Sequence, residues 1–395
     1  LTRVMTLISR RRDMMAILGM AIMLLSLLVP GFLSVKETRI SETFPVALGS
    51  FSNVGLSLLL VASFAVLFLS YAGFSFLMGL VGGIAPVFGF FLAGRHAASI
   101  ASKAGPFARV SPSTGLWVLL LAGYIVVFAA RRRLKDRKII SSLLVLVPIG
   151  LFLLLLGSGH LKDLAIMKEY ANRSNRFLEE TVRHLVIAGG AVLAGVLIGV
   201  PLGIVANRSP KIERPVFAVV NFIQTIPSIA LFGLLIAPLS YLSRSLPFLR
   251  EIGITGVGWA PAMIALVLYS LLPIVRNTYS SLKVIPTDTV EAARAMGMSR
   301  IQVLGKVEIP ISLPVVLAGV RTAAVQAVGN TTMAALIGAG GLGVFVFQGL
   351  GQAAMDLVLL GALPIVALAL IVDSLMQLLI GILTPKGLIS EGAND

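Results

Sequence analysis

The chain has 395 residues, 57% of them apolar and 12% charged, with a mean hydropathy of +0.98 and a net charge of +15. Repeated apolar runs of about 20 residues exceed what a soluble core can hide and match the thickness of a bilayer, which excludes a soluble globular protein. Cysteine is absent, so disulfides and thiolate metal sites are excluded too.

Taken in chain order, the apolar segments fall at 14–33, 54–72, 74–93, 115–130, 139–157, 185–206, 216–238, 258–275, 312–334 and 357–383. Runs this long and uniform are expected to be helices, because a backbone in lipid must satisfy its own hydrogen bonds, and the alternation of barrel strands is missing. The expected fold class is an all-α polytopic integral membrane protein with about ten transmembrane helices. The first run is too long for a signal-peptide core and reads as a retained helix. The second and third meet at a tight hairpin, Ser70 to Gly73, on which the helix count depends.

Lysine and arginine cluster in short segments between the apolar runs, as the positive-inside rule expects, so the charge points to topology rather than to nucleic acid. The segment "RRRLKDRK", Arg131 to Lys138, holds six cations and resists translocation. That places it, both termini and residues 276–311 in the cytoplasm, as expected for an inner (cell) membrane protein. Residues 158–183 are polar and divide the chain. The expected domains are a five-helix membrane region over 1–157, of no assigned role, an extracytoplasmic connector over 158–183, and a second five-helix region over 184–385. The connector reads as a solvated segment, with an amphipathic surface helix as the alternative.

The loop 276–311 is the most informative segment. Asp288 and Glu291 have the spacing of a capping box, and "TVEAARAM" runs through good helix formers to Gly297, which can close a helix in the left-handed conformation. Ser299 and Gln302 repeat the capping-box spacing, Gly305 can close a second short helix, and Pro310 is expected to stop it. The predicted unit is a compact helix–turn–helix whose small Ala292 and Ala293 beside Glu291 suit close seating in a cytoplasmic partner.

Glu291, Ala292, Ala293, Gly297 and then "VEIP", Val307 to Pro310, resemble the signature loop of permease subunits of binding-protein-dependent ABC importers. "NFIQTIPSIALFGLL" from Asn221, "LYSLLPIVRNTY" from Leu268, "AGVRTAAVQAVGNTTMAALIGAGGLG" from Ala318 and "LGALPIVALALIVDSL" from Leu360 are similar to the osmoprotectant branch, which imports glycine betaine, choline or related compounds. The likeness covers about residues 180–385; residues 1–157 resemble only the N-terminally extended members. The resemblance implies a type I permease core working by alternating access. It also implies that Glu291, Ala292, Ala293, Gly297, Ser299 and Pro310 belong to a loop that couples to an ATPase. The implied partners are cytoplasmic ATPase subunits that bind ATP and Mg, a second permease subunit, the same or homologous, and an extracytoplasmic substrate-binding protein.

The residues themselves agree that the energy source lies elsewhere: no phosphate loop is present, since Gly305–Lys306 is followed by Val307. His96, His160 and His184 lack H-E-x-x-H spacing and no nucleophile elbow occurs, so no catalytic residue, metal site or resident cofactor is expected. The rival is an ion-coupled secondary transporter acting without an ATPase, for which Arg321 and Asp373 are the candidate intramembrane charges; both can instead pair or snorkel near a helix end. A membrane scaffold or sensor is a third reading for residues 1–157. Gln224, Thr225, Tyr269, Ser270, Asn330, Thr331 and Thr332 are the polar residues that could line a pathway, with interhelical packing as the alternative. Trp117 and Trp259 are the only tryptophans, so an aromatic cage for a quaternary ammonium is expected in the receptor. The glycine-rich stretch Gly338 to Gln352 reads as an outer gate or receptor contact, or as a flexible connector.

Overall fold

The computed structural model describes residues 13–38, 41–105 and 107–384. The N-terminal basic cluster and the C-terminal tail, which the topology rule places in the cytoplasm, lie outside the described residues. The chain divides into two compact units that meet at Asn172 and Arg173.

In the first unit, α1 (Met14–Leu28) leads to strand β1 (Leu33–Lys36), strand β2 (Phe44–Val46), the short α2 (Leu48–Phe51) and α3 (Asn53–Ala72). Then come α4 (Ser75–Ala104), strand β3 (Arg109–Pro112), α5 (Thr114–Arg133), α6 (Lys138–Gly157) and α7 (Ala165–Asn172). The hairpin at Ser70 to Gly73 does separate two helices. The first apolar run yields only 15 helical residues, about 22 Å against a hydrocarbon core of about 30 Å. Pro30 two residues past its end cannot continue it. The sequence reading contains no strands, but the segments between spans form a three-stranded antiparallel sheet in the order β2-β1-β3. Leu33 stands opposite both Val46 and Pro112, and the strands draw on residues such as Val35, Phe44 and Val110 that fit a pleated surface.

One end of this unit is pinned by charge. Asp13 caps α1 by accepting from the Met15 N–H at 3.0 Å and ion-pairs with Arg133 at 2.9 Å. The same guanidinium donates to the Ser70 carbonyl at 3.1 Å. The start of α1, the α3/α4 hairpin and the end of α5 therefore lie together, beside the six-cation segment.

The second unit holds α8 (Ser174–Arg208), α9 (Pro210–Thr225), α10 (Ser228–Ser245), α11 (Pro247–Glu251) and α12 (Trp259–Lys283). After them come α13 (Thr287–Ala295), α14 (Arg300–Val303), a π turn (Leu304–Glu308), α15 (Ile309–Ala334), α16 (Gly343–Gly351) and α17 (Met355–Leu383). Two expectations are corrected here. Residues 174–183, mostly exposed, are not an irregular connector but the first turns of α8, with local pairs such as Arg176 with Glu180 at 3.8 Å. The run 216–238 is not one span: it breaks at Ile226–Pro227, because proline offers no N–H and restricts the residue before it.

Among the described residues nine helices are long and apolar enough to cross a membrane, four in the first unit and five in the second. Lipid tails give no hydrophobic reason for helices to associate, so close packing must do it. On α8, Gly195, Gly199 and Gly203 lie one turn apart, and a Cβ at any of them would collide with Ser270, Ile274 or Thr278 of α12. That seam is the spine of the second unit.

Candidate functional site

The loop between α12 and α15 is shorter than the sequence suggests. Helix α12 continues to Lys283 and the helical run that leads into α15 begins at Arg300, with α13 between them, because polar helix formers carry both membrane helices beyond their apolar stretches. Pro286 is the N-cap of α13 and supplies no side-chain bond, so the proposed Asp288–Glu291 capping box does not form; Asp288 sits in the first turn, where its charge favours the helix dipole. The other end closes through Gly297 at φ 84°. Gly297 N–H donates to the Arg294 carbonyl at 2.9 Å and Met298 N–H to Ala293 at 3.3 Å, the Schellman pattern that needs a left-handed residue.

Ser299 and Gln302 do form a capping box, with Ser299 N–H donating to Oε1 of Gln302 at 2.8 Å. The second helix does not end at Gly305, however, and Pro310 does not stop it. The chain widens into the π turn, where Ile309 N–H donates to the Leu304 carbonyl, and runs on into α15 with Pro310 in its first turn. There a missing N–H costs least, and the widened turn relieves the clash a proline ring makes with the carbonyl four residues back. The predicted helix–turn–helix is thus one short helix and a turn joined directly to a membrane helix. Glu291 and Ala292 are exposed, but Ala293 is buried at 3% and faces its own fold. Met296 and Ile301, 72% and 83% exposed, are the apolar side chains this segment does present.

Beneath it the helix ends are tied by polar contacts. Glu308, in the π turn and only 4% exposed, pairs with Arg208, the last residue of α8. Tyr279 of α12 donates to Glu213 of α9 at 2.7 Å and accepts from Lys283 at 2.7 Å. The sequence reading missed Arg208 and Glu308; the signal available was a single acid between Val307 and Ile309 at the entry to an apolar helix.

Of the polar residues considered for a pathway, the structure joins Gln224 and Tyr269 across the break after α9. Gln224 donates to the Tyr269 carbonyl at 2.6 Å and the Tyr269 hydroxyl donates to the Ile226 carbonyl, which the break would otherwise leave unsatisfied. Thr225 is exposed and bonded to Phe222. Ser270 and Thr331 are buried, their hydroxyls donating within their own helices to Val267 and Ala327, each at 2.7 Å. Asn330 and Thr332 are half-buried. Arg321 and Asp373 form a two-pronged pair at 2.6 and 2.9 Å between α15 and α17, roughly a third exposed. Among the described residues no three histidine or carboxylate side chains converge as a metal ion would require.

At the far end of α15 the glycine-rich stretch is a built turn followed by α16. Gly338, Gly340 and Gly341 all have positive φ. Gly341 N–H donates to Glu180 of α8 at 2.6 Å, and His184, fully buried one turn further on, bonds the Val328 carbonyl through Nε2 at 2.9 Å.

Comparison with known proteins gives these contacts a context. Residues 195–381 match the family described as binding-protein-dependent transport system inner membrane component. Residues 11–167 match the N-terminal domain of ABC transporter permease YehY. The carnitine transport permease protein OpuCB of Listeria monocytogenes is 41% identical over 57% of this chain and 95% of its own length. The osmoprotectant import permease protein OsmW of Salmonella typhimurium is 42% identical over 53% and 92%. The choline transport system permease protein OpuBB of Bacillus subtilis is 35% identical over 56% and 95%. All three relatives are covered almost end to end by this chain, so the chain is a multi-pass permease belonging to the binding-protein-dependent transport system inner membrane component family, in an N-terminally extended form.

Proposed function

We propose that this chain is the membrane-spanning subunit of an ATP-driven importer for a small osmoprotectant such as glycine betaine, choline or carnitine. Separate ATPase subunits bind ATP and Mg on the cytoplasmic side, a second permease subunit completes the translocation unit, and an extracytoplasmic protein delivers the substrate. Residues 287–303 dock on the ATPase, with Glu291, Ala292, Gly297 and Ser299 shaping the surface, Met296 and Ile301 supplying apolar contact, and Ala293 and Pro310 holding the segment to its helix. The single observation that carries the reading is mechanical. A short exposed helix, locked by its Schellman turn, passes through a capping box and a π turn straight into α15. A push on α13 therefore moves a membrane helix, as alternating access driven from the cytoplasm requires.

The substrate class rests on the names of the relatives and on the sequence motifs around Asn221, Leu268 and Ala318. The orientation, both termini inside, rests on the six cations of Arg131 to Lys138. The test is uptake of labelled glycine betaine, choline and carnitine into liposomes holding the complex. Uptake that requires ATP, the ATPase and the receptor is the expected result. Uptake by the isolated chain on a sodium or proton gradient would instead establish the ion-coupled reading and overturn this one.

A further inference from the structure

Helix α8 is bonded to both ends of α15. At one end its last residue, Arg208, holds the buried Glu308 of the π turn. At the other, Glu180 accepts from the Gly341 backbone in the turn that follows α15, and His184 lies between, bonded to Val328. A Cβ at Gly340 would meet Arg183 and Glu180, at 2.7 and 2.9 Å, and one at Gly341 would meet His184 at 3.2 Å, so the turn is seated on α8. Helix α8 is continuous for 35 residues, about 52 Å, longer than the hydrocarbon core is thick. Its one weak point is Pro201, where a helix commonly kinks. Gly199 and Gly203 flank that point and pack directly on α12, which splints it.

We infer that Arg208 and Glu180 are positioning residues through which α8 links the cytoplasmic docking segment to the glycine turn at the opposite membrane face. When the π turn moves, the buried Glu308 carboxylate must keep its cation, because separating the pair leaves an uncompensated charge inside the fold. Arg208 therefore follows Glu308. Because Ser270, Ile274 and Thr278 of α12 seat in the gaps at Gly195, Gly199 and Gly203, α8 and α12 are interlocked and α8 moves with α12 as one rigid unit. At the far end Glu180 carries the displacement to Gly341, whose N–H donates to that carboxylate. The glycine turn opens or closes with the docking segment instead of fluctuating independently. The link rests on the proposed ATP-driven cycle for its driving force, but its existence within the chain does not.

The test separates those two. In the reconstituted complex, Glu308→Arg and Arg208→Glu singly should lower substrate imported per ATP hydrolysed by about tenfold or more, within the usual range of coupling between sites. The double exchange should recover most of the ratio, and Arg208→Lys should keep it. Glu180→Ala should lower the same ratio and add little on top of Glu308→Arg, because both cut one connection. Folded single variants with an unchanged ratio, or a double exchange no better than either single, would overturn the inference. A second measurement needs neither ATP nor partners and serves if the inverted variants fail to fold or the wild-type complex shows no ATP-driven uptake. The chain has no native cysteine, so spin labels at Leu178→Cys and Leu350→Cys, both exposed sites, report the far end of α8 against α16. Glu308→Gln should shift or broaden that distance beyond the spread of the labels; an unchanged distribution would show that the two ends are independent.

Discussion

The two units place their charges differently. In the first, Asp13 and Arg133 close on each other together with the Ser70 carbonyl, and Arg109 closes on Glu169, which is 1% exposed. In the second, polar chemistry collects at helix ends: Arg208 with Glu308 and Glu213 with Tyr279 beneath the exposed segment, and Glu180 with Gly341 at the opposite end of α15. The first unit uses charge to fasten elements that need not move. The second uses it at junctions on either side of helices that a transport cycle must displace.

If that contrast is right, changes in the first unit should register as lost stability and changes around the docking segment as lost coupling. The largest stability effect is expected at Arg133→Ala, which strands a buried carboxylate and should cost about 3 kcal/mol. Thermal unfolding of the detergent-solubilised chain measures it, and a change under about 1 kcal/mol would remove the pinning role from Arg133. Gly297→Val comes next: a β-branched residue in the left-handed region costs about 1–2 kcal/mol locally. Uptake per ATP should nevertheless collapse, with membrane insertion intact. Normal uptake by that variant would break the proposed link between the Schellman turn and the ATPase.

Ser299→Ala removes one arm of the capping box and should cost about 1 kcal/mol. A partial loss of coupling, smaller than for Gly297→Val, is expected in the same assay, while an equal loss would mean that the capping box matters as much as the turn. The smallest effect is expected for Tyr269→Phe, which leaves the Ile226 carbonyl at the helix break unbonded. Interhelical hydrogen bonds in membranes average about 0.6 kcal/mol, so the melting change should be slight. A changed ratio of choline to carnitine uptake in this variant would place the break on the substrate path; an unchanged ratio would make it packing.

Much of the docking segment was legible from local chemistry. The Gly297 turn and the Ser299–Gln302 pair act over six residues or fewer, and such motifs form largely irrespective of the rest of the fold. The errors at Asp288, Gly305 and Pro310 share one cause: each residue type is compatible with a boundary, but whether a helix starts or stops there depends on what its neighbours offer. Pro286 had already taken the cap position, and the π turn let α15 absorb Pro310. Ala293 reads as a surface residue by size alone but is buried at 3%, which its position in the folded segment, not its size, decides.

The spans, their approximate number and the family motifs follow from sequence alone, because a hydrophobic run in a bilayer has one economical conformation. The pairing of Arg208 with Glu308 and of Glu180 with Gly341 joins residues 100 and 161 positions apart. No local pattern records such separations. Only the packing of α8 against α12 and α15 could decide them, since it is the three-dimensional seam of small residues that sets which helix ends meet.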